Sequence, residues 1–321
     1  MQKCIIIIFG ATGIGKTDFA HEVAQEISGE IINADVGQFY TPLQIGTAKP
    51  DWRNSPILQH LFDSIDSPTD INVAHYRQQV LQTCQKIWKK DKIPLIVGGS
   101  GFYLRSLFFA PHAQTGNSSK DESASYTWEQ LYQIDPKRAQ AIHPHDHYRI
   151  ARAMEIYQTT GKKPSEYVPE YAPIAPFCFV YLTRDRPDLY ARINQRTEQM
   201  MAQGWLHEVQ QLQGTEWVPF LKKKKLIGYD DILDFLEHKG MGSDQDLIAI
   251  IRQKTRNYAK RQITFGNQLY KSLHEAIALY QDAKSNCVQF NLTEGNCVHY
   301  KKQLLEIVNR MQCFKNGGSL L

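Results

Sequence analysis

"CIIIIFGATGIGKT", residues Cys4 to Thr17, decides the fold. Its first half is an unbroken apolar run rich in β-branched residues, the pattern of a parallel strand buried on both faces. Its second half, Gly10-Ala11-Thr12-Gly13-Ile14-Gly15-Lys16-Thr17, fits G-x-x-x-x-G-K-[ST] at every fixed position. Such a loop works because consecutive backbone N–H groups, unobstructed at glycine, converge on phosphate oxygens at a helix N-terminus. Lys16 adds a point charge, and the Thr17 hydroxyl can enter a Mg²⁺ shell. Residues 10–17 are therefore the expected phosphate site, with Lys16 and Thr17 as its chemical members and Thr17 as metal ligand.

Working outward, the pattern of strand and helix repeats. Thr17 to Ser28 reads as a helix, Glu30 to Ala34 ("EIINA") as a strand, and Val73 to Lys89 as a helix. Ile93 to Val97 ("IPLIV") is a further strand, which runs into Gly98-Gly99-Ser100-Gly101. This alternation predicts an α/β domain on a mostly parallel sheet. After Phe109 the stretch "APHAQTGNSSKDESAS" is polar and turn-rich, and Trp128 to Tyr167 is helical, with turns at Asp135-Pro136 and His143-Pro144. "FCFVYL" (177–182) returns to strand, and helices are expected over 187–203, 205–213 and 244–262. The design is a helical insertion, 113–173, within an α/β core made of 1–112 and 174–321.

The chain has 321 residues, 42% of them hydrophobic and 22% charged, and a net charge of +4, values of a globular protein with a sizeable core. No apolar run approaches the roughly 20 residues that span a bilayer, and no signal-peptide pattern opens the chain. Six cysteines without a C-x-x-C pair read as reduced, mostly buried thiols, and Cys287, Cys297 and His299 lack the paired spacing of a zinc site. A cytoplasmic protein, away from membranes, is expected.

Which phosphate the loop holds is the harder question. A nucleotide hydrolase of this type places an acid at the end of an apolar strand to organise Mg²⁺ and water, yet "IPLIV" ends in glycines and Ser100. The acid at a strand end is Asp35. In an open α/β sheet it falls in the crevice at the carboxyl edge, beside the loop, where it can act as a base toward a nucleophile approaching the phosphate end of a ligand. A helix cap or solvated acid is the plainer reading of the same residue.

Several stretches then converge on one family. "GATGIGKT", "EIINAD", "IGTAKP" (45–50), "HLFD" (60–63), "PLIVGGSGFYLRSL" (94–107), "DPKRAQAIHPHDHYRIARAMEIYQTTGKKPS" (135–165), "IGYDD" (227–231) and "TRNYAKRQITF" (255–265) occur in the order found in the tRNA dimethylallyltransferases, which the chain resembles. The resemblance implies a P-loop NTPase-like sheet core with an inserted helical domain that contacts tRNA. It implies transfer of a dimethylallyl group from dimethylallyl diphosphate to N6 of adenosine 37, with Mg²⁺, by a monomer. The loop then binds a leaving diphosphate, and Asp35 matches the catalytic aspartate. Asp35, Val36, Gly37, Gln38, Ser100, Tyr148, Arg149, Arg152, Arg256, Lys260 and Arg261 fall on segments resembling the tRNA-contacting ones. Arg252, Arg256 and Lys260 share one helix face, with Ile248, Ile251 and Ala259 turned inward.

The chain also departs from the family. Val36-Gly37 replaces the usual serine and variable residue after the aspartate, "YTPLQIGTAKP" lacks one basic and one acidic side chain, and 110–125 lacks the pattern that opens the insertion. Three other readings remain open at this level: a P-loop small-molecule kinase, an isopentenyltransferase for free adenine nucleotide, and a tRNA-binding protein without catalysis.

Overall fold

The computed structural model describes residues 3–110, 126–237, 243–295 and 297–311. Expectations for 110–125 thus fall almost wholly outside the described residues, as does Cys313. Two compact units result, Met1–Phe108 with Pro173–Leu321, and Phe109–Ala172.

The larger unit is built on six parallel strands: β1 (Ile5–Gly10), β2 (Glu30–Asn33), β3 (Gln59–His60), β4 (Pro94–Gly98), β5 (Phe177–Thr183) and β6 (Asn286–Asn291). Their order is β3-β2-β4-β1-β5-β6. The Cys4–Phe9 run forms β1, all of it buried, at the centre of the sheet. The helices of the chain are α1 (Lys16–Glu26), α2 (Val73–Trp88), α3 (Gly101–Arg105), α4 (Trp128–Ile134), α5 (Pro136–Gln140), α6 (His147–Thr160), α7 (Arg186–Ala202), α8 (Trp205–Gln210), α9 (Trp217–Lys224), α10 (Tyr229–Glu237), α11 (Asp244–Leu279) and α12 (Cys297–Arg310).

Alternation along the strands sorts the core into two layers. Ile6, Ile8, Leu95, Cys178 and Val180 pack with Phe19, Ala20, Val23 and Ala24 of α1 and Leu304 and Val308 of α12. On the other face Phe9 lies against Phe179, Tyr181 and, from α11, Phe265. A second cluster lies beyond the sheet edge. Trp205, Val209, Trp217, Leu221, Tyr229, Ile232 and Leu233 of α8–α10 close over Tyr40 and Leu43 and over Leu247 and Ile251 of α11.

Three elements differ from the sequence expectation. α11 runs on to Leu279 rather than ending near Gln262, because Leu269, Leu273 and Ala276 carry its buried face onward. β6 is an edge strand in which only Cys287 and Phe290 are buried, and the polar residues Asn286, Gln289 and Asn291 hide it from a search for apolar runs. Cys4 is disulfide-bonded, against the expectation of reduced thiols throughout, whereas Cys84, Cys178 and Cys287 are buried free thiols and Cys297 an exposed one. Such pairing depends on what the fold brings within reach, which sequence spacing does not disclose.

The smaller unit packs α4, α5 and α6 around Leu131, Ala139, Ile142, Ile150, Ala153 and Met154. Asp135 is buried at the junction of α4 and α5, where its carboxylate accepts from the backbone N–H of Arg138 (3.0 Å) and of Ser165 (2.6 Å). Burial pushes its carboxyl up, but the Ser165 and Arg138 N–H groups outweigh burial and hold it below the usual range. The ends of the long "DPKRA…KKPS" stretch are therefore pinned together by one buried acid. Tyr157, three positions past Met154 on α6, is 37% exposed. Among the described residues no helix is long and apolar enough to cross a membrane.

Candidate active site

The phosphate loop leaves β1 and enters α1 through Gly13 (φ 80°) and Gly15 (φ 103°). The left-handed backbone at these two positions is what glycine permits and a β-carbon resists. Lys16 folds back so that Nζ donates to the Ala11 carbonyl at 2.9 Å, and the Thr17 side chain is exposed at the first turn of α1. Three side chains from distant segments hold the loop. Gln262 of α11 accepts from the Thr12 N–H (2.9 Å) and donates to the Gly99 carbonyl (2.9 Å), tying the loop to the end of β4. Arg192 Nε donates to the Gly13 carbonyl (2.9 Å), and Arg184 Nε to that of Ile14 (3.2 Å).

Asp35 follows β2 at the carboxyl edge of the sheet. Its backbone is fixed by Asn33, whose Oδ1 accepts from the Asp35 N–H (2.8 Å) and whose Nδ2 donates to the Leu61 carbonyl (3.0 Å). Asp35 Oδ1 accepts from the Gly37 N–H at 3.3 Å and caps the 3₁₀ turn Val36–Phe39. The capping reading is thus correct, yet it occupies one oxygen only. Asp35 also lines two adjoining cavities. The smaller, about 60 Å³, contains Lys16, Thr17, Gln38 and Gly98; the larger, about 390 Å³, contains Val36, Gly37, Ser100, Tyr258 and Arg261. Thr12, Asp35, Thr47 and Arg196 line both.

Burial governs the charges here. It pushes the Asp35 carboxyl above its ordinary value, against the pull of Lys16, the Gly37 N–H and Arg196. It lowers Lys16 to about 8, with Asp35 opposing the shift and Arg196 adding to it. Both groups sit where a polyanion would restore the balance in favour of charged Lys16.

The two motifs "IGTAKP" and "IGYDD" shape the cavity wall. Glu208 of α8 accepts from the backbone N–H groups of Gln44 (3.0 Å), Ile45 (2.7 Å) and Gly46 (3.2 Å), and from the Tyr229 hydroxyl (2.6 Å). Asp63 of "HLFD" holds the buried ammonium of Lys49 and accepts from Trp52 Nε1 (3.2 Å). Gln38 donates to the carbonyls of Thr47 (3.0 Å) and Ala48 (3.3 Å), and Ser100 Oγ accepts from the Val36 N–H (3.0 Å).

The structure thus brings residues 10–17, Asp35–Gln38, Ser100 and Arg261 to one place. Lys260 is exposed on α11, and Arg256 is tied to α7 through Asn194 (2.7 Å) and to Gln253 (2.6 Å). Arg252 is ion-paired with Glu198. Tyr148, Arg149 and Arg152 belong to the smaller unit. Tyr148 is 71% exposed on α6, Arg149 pairs with Asp146 (3.4 Å) and Arg152 with Glu155 (2.5 Å). Arg196, Glu208, Tyr258 and Gln262 were not among the expected site residues. A polar side chain on the inward face of an otherwise apolar helix stripe, as at Gln262 after Ile251 and Ala259, is the signal that marks such a position.

Among the described residues no group of three His, Cys, Asp or Glu side chains is arranged to hold a metal. The oxygen-only donor set beside the loop, the Thr17 hydroxyl, suits a hard cation that takes its remaining ligands from a bound phosphate.

Fold and site together define a P-loop α/β enzyme in which a phosphate cradle opens onto a large, largely apolar cavity. The IPP transferase family model matches residues 38–268, and an isopentenyl transferase model matches 3–60. A tRNA dimethylallyltransferase of Thermotoga maritima is 34% identical over 315 residues, covering 95% of this chain and 97% of its own. The full-length tRNA isopentenylpyrophosphate transferase of Bacillus halodurans superposes with a TM-score of 0.67 at 26% identity, over 97% of this chain and 98% of that one. A eukaryotic dimethylallyltransferase captured acting on tRNA gives 0.71 at 26% identity, over 91% and 74%. The chain belongs to the IPP transferase family.

Proposed function

We propose that the protein transfers a dimethylallyl group from dimethylallyl diphosphate to the N6 amine of adenosine 37 in tRNA. The observation that carries this reading is that Asp35, the half-buried acid of the site, lines both the cavity at the phosphate cradle and a second one of about 390 Å³. A base so placed can accept a proton from a nucleophile that approaches the phosphate end from the larger cavity. The loop amides, Lys16 and Thr17 bind the diphosphate and stabilise the negative charge that grows on it as the allylic C–O bond breaks. The exocyclic amine attacks the cationic carbon, and Asp35 accepts its proton. Thr17 would hold a bound Mg²⁺, which would supply further neutralisation of the leaving group.

The adenine enters the larger cavity after leaving its stack, and Val36, Gly37, Gln38 and Ser100 form its surroundings. Tyr148, Arg149 and Arg152 on α6, and Arg256, Lys260 and Arg261 on α11, are the proposed tRNA contacts, with stacking and phosphate neutralisation as their means. A monomer in the cytoplasm is the setting of this reading. The test is a parallel assay of labelled dimethylallyl diphosphate against tRNA and AMP, with ATP turnover measured alongside. Label in tRNA alone supports the proposal. Label in AMP, or ATP hydrolysis without prenyl transfer, overturns it in favour of the nucleotide or kinase reading.

A further inference from the structure

β3 is only two residues long, and the two face opposite ways, as successive strand residues do. His60 turns to Glu30, with Nε2 2.8 Å from Oε2. Gln59 turns toward α1, where its amide nitrogen lies 3.0 Å from Nε2 of His21. An amide nitrogen only donates, so the His21 ring accepts through Nε2 and carries its proton on Nδ1. Burial favours that neutral ring, against the pull of Asp18. The contact fixes the rotation of the Gln59 amide and leaves its carbonyl oxygen to the other side. Gln59 is 5% exposed, and it lines the smaller cavity together with Lys16 and Thr17. Among the described residues its side chain makes no hydrogen bond besides the one to His21, so the oxygen receives no protein donor.

A buried carbonyl oxygen without a donor is costly to keep. Beside a phosphate cradle it is also misplaced for contact with the phosphate, because two acceptors repel. It suits a ligand that donates, and a water on a hydrated cation is such a ligand. Thr17 stands one helical turn before His21 on α1, and its hydroxyl is the oxygen already fitted to a hard cation. With no cluster of acids among the described residues to displace its waters, a Mg²⁺ bound here keeps most of them. Acceptors for those waters then help to decide where it sits. We propose that the Gln59 carbonyl oxygen holds a water of the cation that Thr17 would bind, and that His21 is the positioning residue that turns this oxygen into the cavity. The inference rests on the reading given under Proposed function only in that a diphosphate occupies the loop.

The test uses Mn²⁺ as probe, its binding followed by electron paramagnetic resonance in the presence of inorganic diphosphate. Calorimetric titration of diphosphate without metal runs alongside. Gln59→Leu is expected to weaken Mn²⁺ binding by about tenfold or more, the usual effect of losing a group that holds a metal's ligand. Its metal-free diphosphate affinity should stay within about twofold of wild type. His21→Phe should weaken Mn²⁺ in the same direction, and His21→Gln, which keeps a side-chain acceptor for the Gln59 amide, should recover most of the loss. His21 is only half-buried, so its two variants decide the matter even if Gln59→Leu does not fold. Mn²⁺ affinity within about twofold of wild type in Gln59→Leu, or no difference between His21→Phe and His21→Gln, overturns the inference. An equal loss of metal-free diphosphate also overturns it, since the amide would then serve the anion or the loop itself. A wild-type chain that transfers no prenyl group, yet loses Mn²⁺ with Gln59, sinks the functional reading and leaves this one standing.

Discussion

Asp35 and Lys16 face each other across the smaller cavity, each with its charged form disfavoured by burial. For Asp35 the folded-state pKa lies above its unfolded value, so the folded chain binds that proton more tightly. Stability therefore declines as pH rises from the ordinary carboxylate range through the raised value, and stays reduced at neutrality. Asp35→Asn keeps the oxygen that accepts from Gly37 and removes the buried charge. It should abolish transfer, by 10²-fold or more, while raising the melting temperature by about 1–3 °C at pH 7; a variant that is both inactive and less stable would contradict this account. Lys16 leads to a second prediction. Above a pH of about 8 the free chain loses this positive charge, so diphosphate affinity, measured by titration at successive pH values, should weaken from there upward. Constant affinity to pH 9.5 would show that Lys16 stays charged. At this scale the residues fixed by a contiguous motif, 10–17, and the strand-end Asp35 were legible in the sequence. Glu208 and Gln262 were not, because each acts on backbone that only the folded chain brings near.

The segment 44–50 is the element on which the cavity depends. Gly46 is fixed by close approach: a β-carbon there would fall 2.1 Å from Trp205 Nε1 and 2.4 Å from the Tyr229 ring. Gly46→Ala must displace a buried tryptophan, and overpacking of this kind typically costs about 1–3 kcal/mol. Chemical denaturation should show that loss, and transfer should fall with it because the adjoining Thr47 lines both cavities. An alanine variant of full stability would mean that Trp205 swings aside freely. Elements buried on both faces, such as β1 and β4, announced themselves through unbroken apolar runs. β6 and α10 did not. β6 buries only Cys287 and Phe290 among polar neighbours, and α10 is held by specific partners, Asp231 receiving the Gly228 N–H (3.0 Å) and the Lys254 ammonium. The motif "IGYDD" was visible as a string, but its purpose, positioning Tyr229 under Glu208, required the fold.

For the molecule as a whole, the net charge of +4 is too small to identify an RNA partner, and placement of the charge decides the matter. Lys260 stands exposed on α11, whereas Arg252 and Arg256 are engaged with α7. Lys260→Ala should therefore weaken tRNA binding and reduce the salt slope by about one, without change in the stability of the free protein; an unaltered slope would remove Lys260 from the RNA contacts. Arg256→Ala should affect both, since it also releases Asn194. The family was legible from ordered motifs, yet the reaction itself is tested by its stoichiometry. The direct measurement is a single-turnover reaction of the chain with dimethylallyl diphosphate and an anticodon stem-loop, counting diphosphate released and N6-dimethylallyladenosine formed. The account predicts one of each per turnover, at the adenosine beside the anticodon, and neither with Asp35→Ala. Diphosphate release without the modified base, or full transfer by Asp35→Ala, would contradict it.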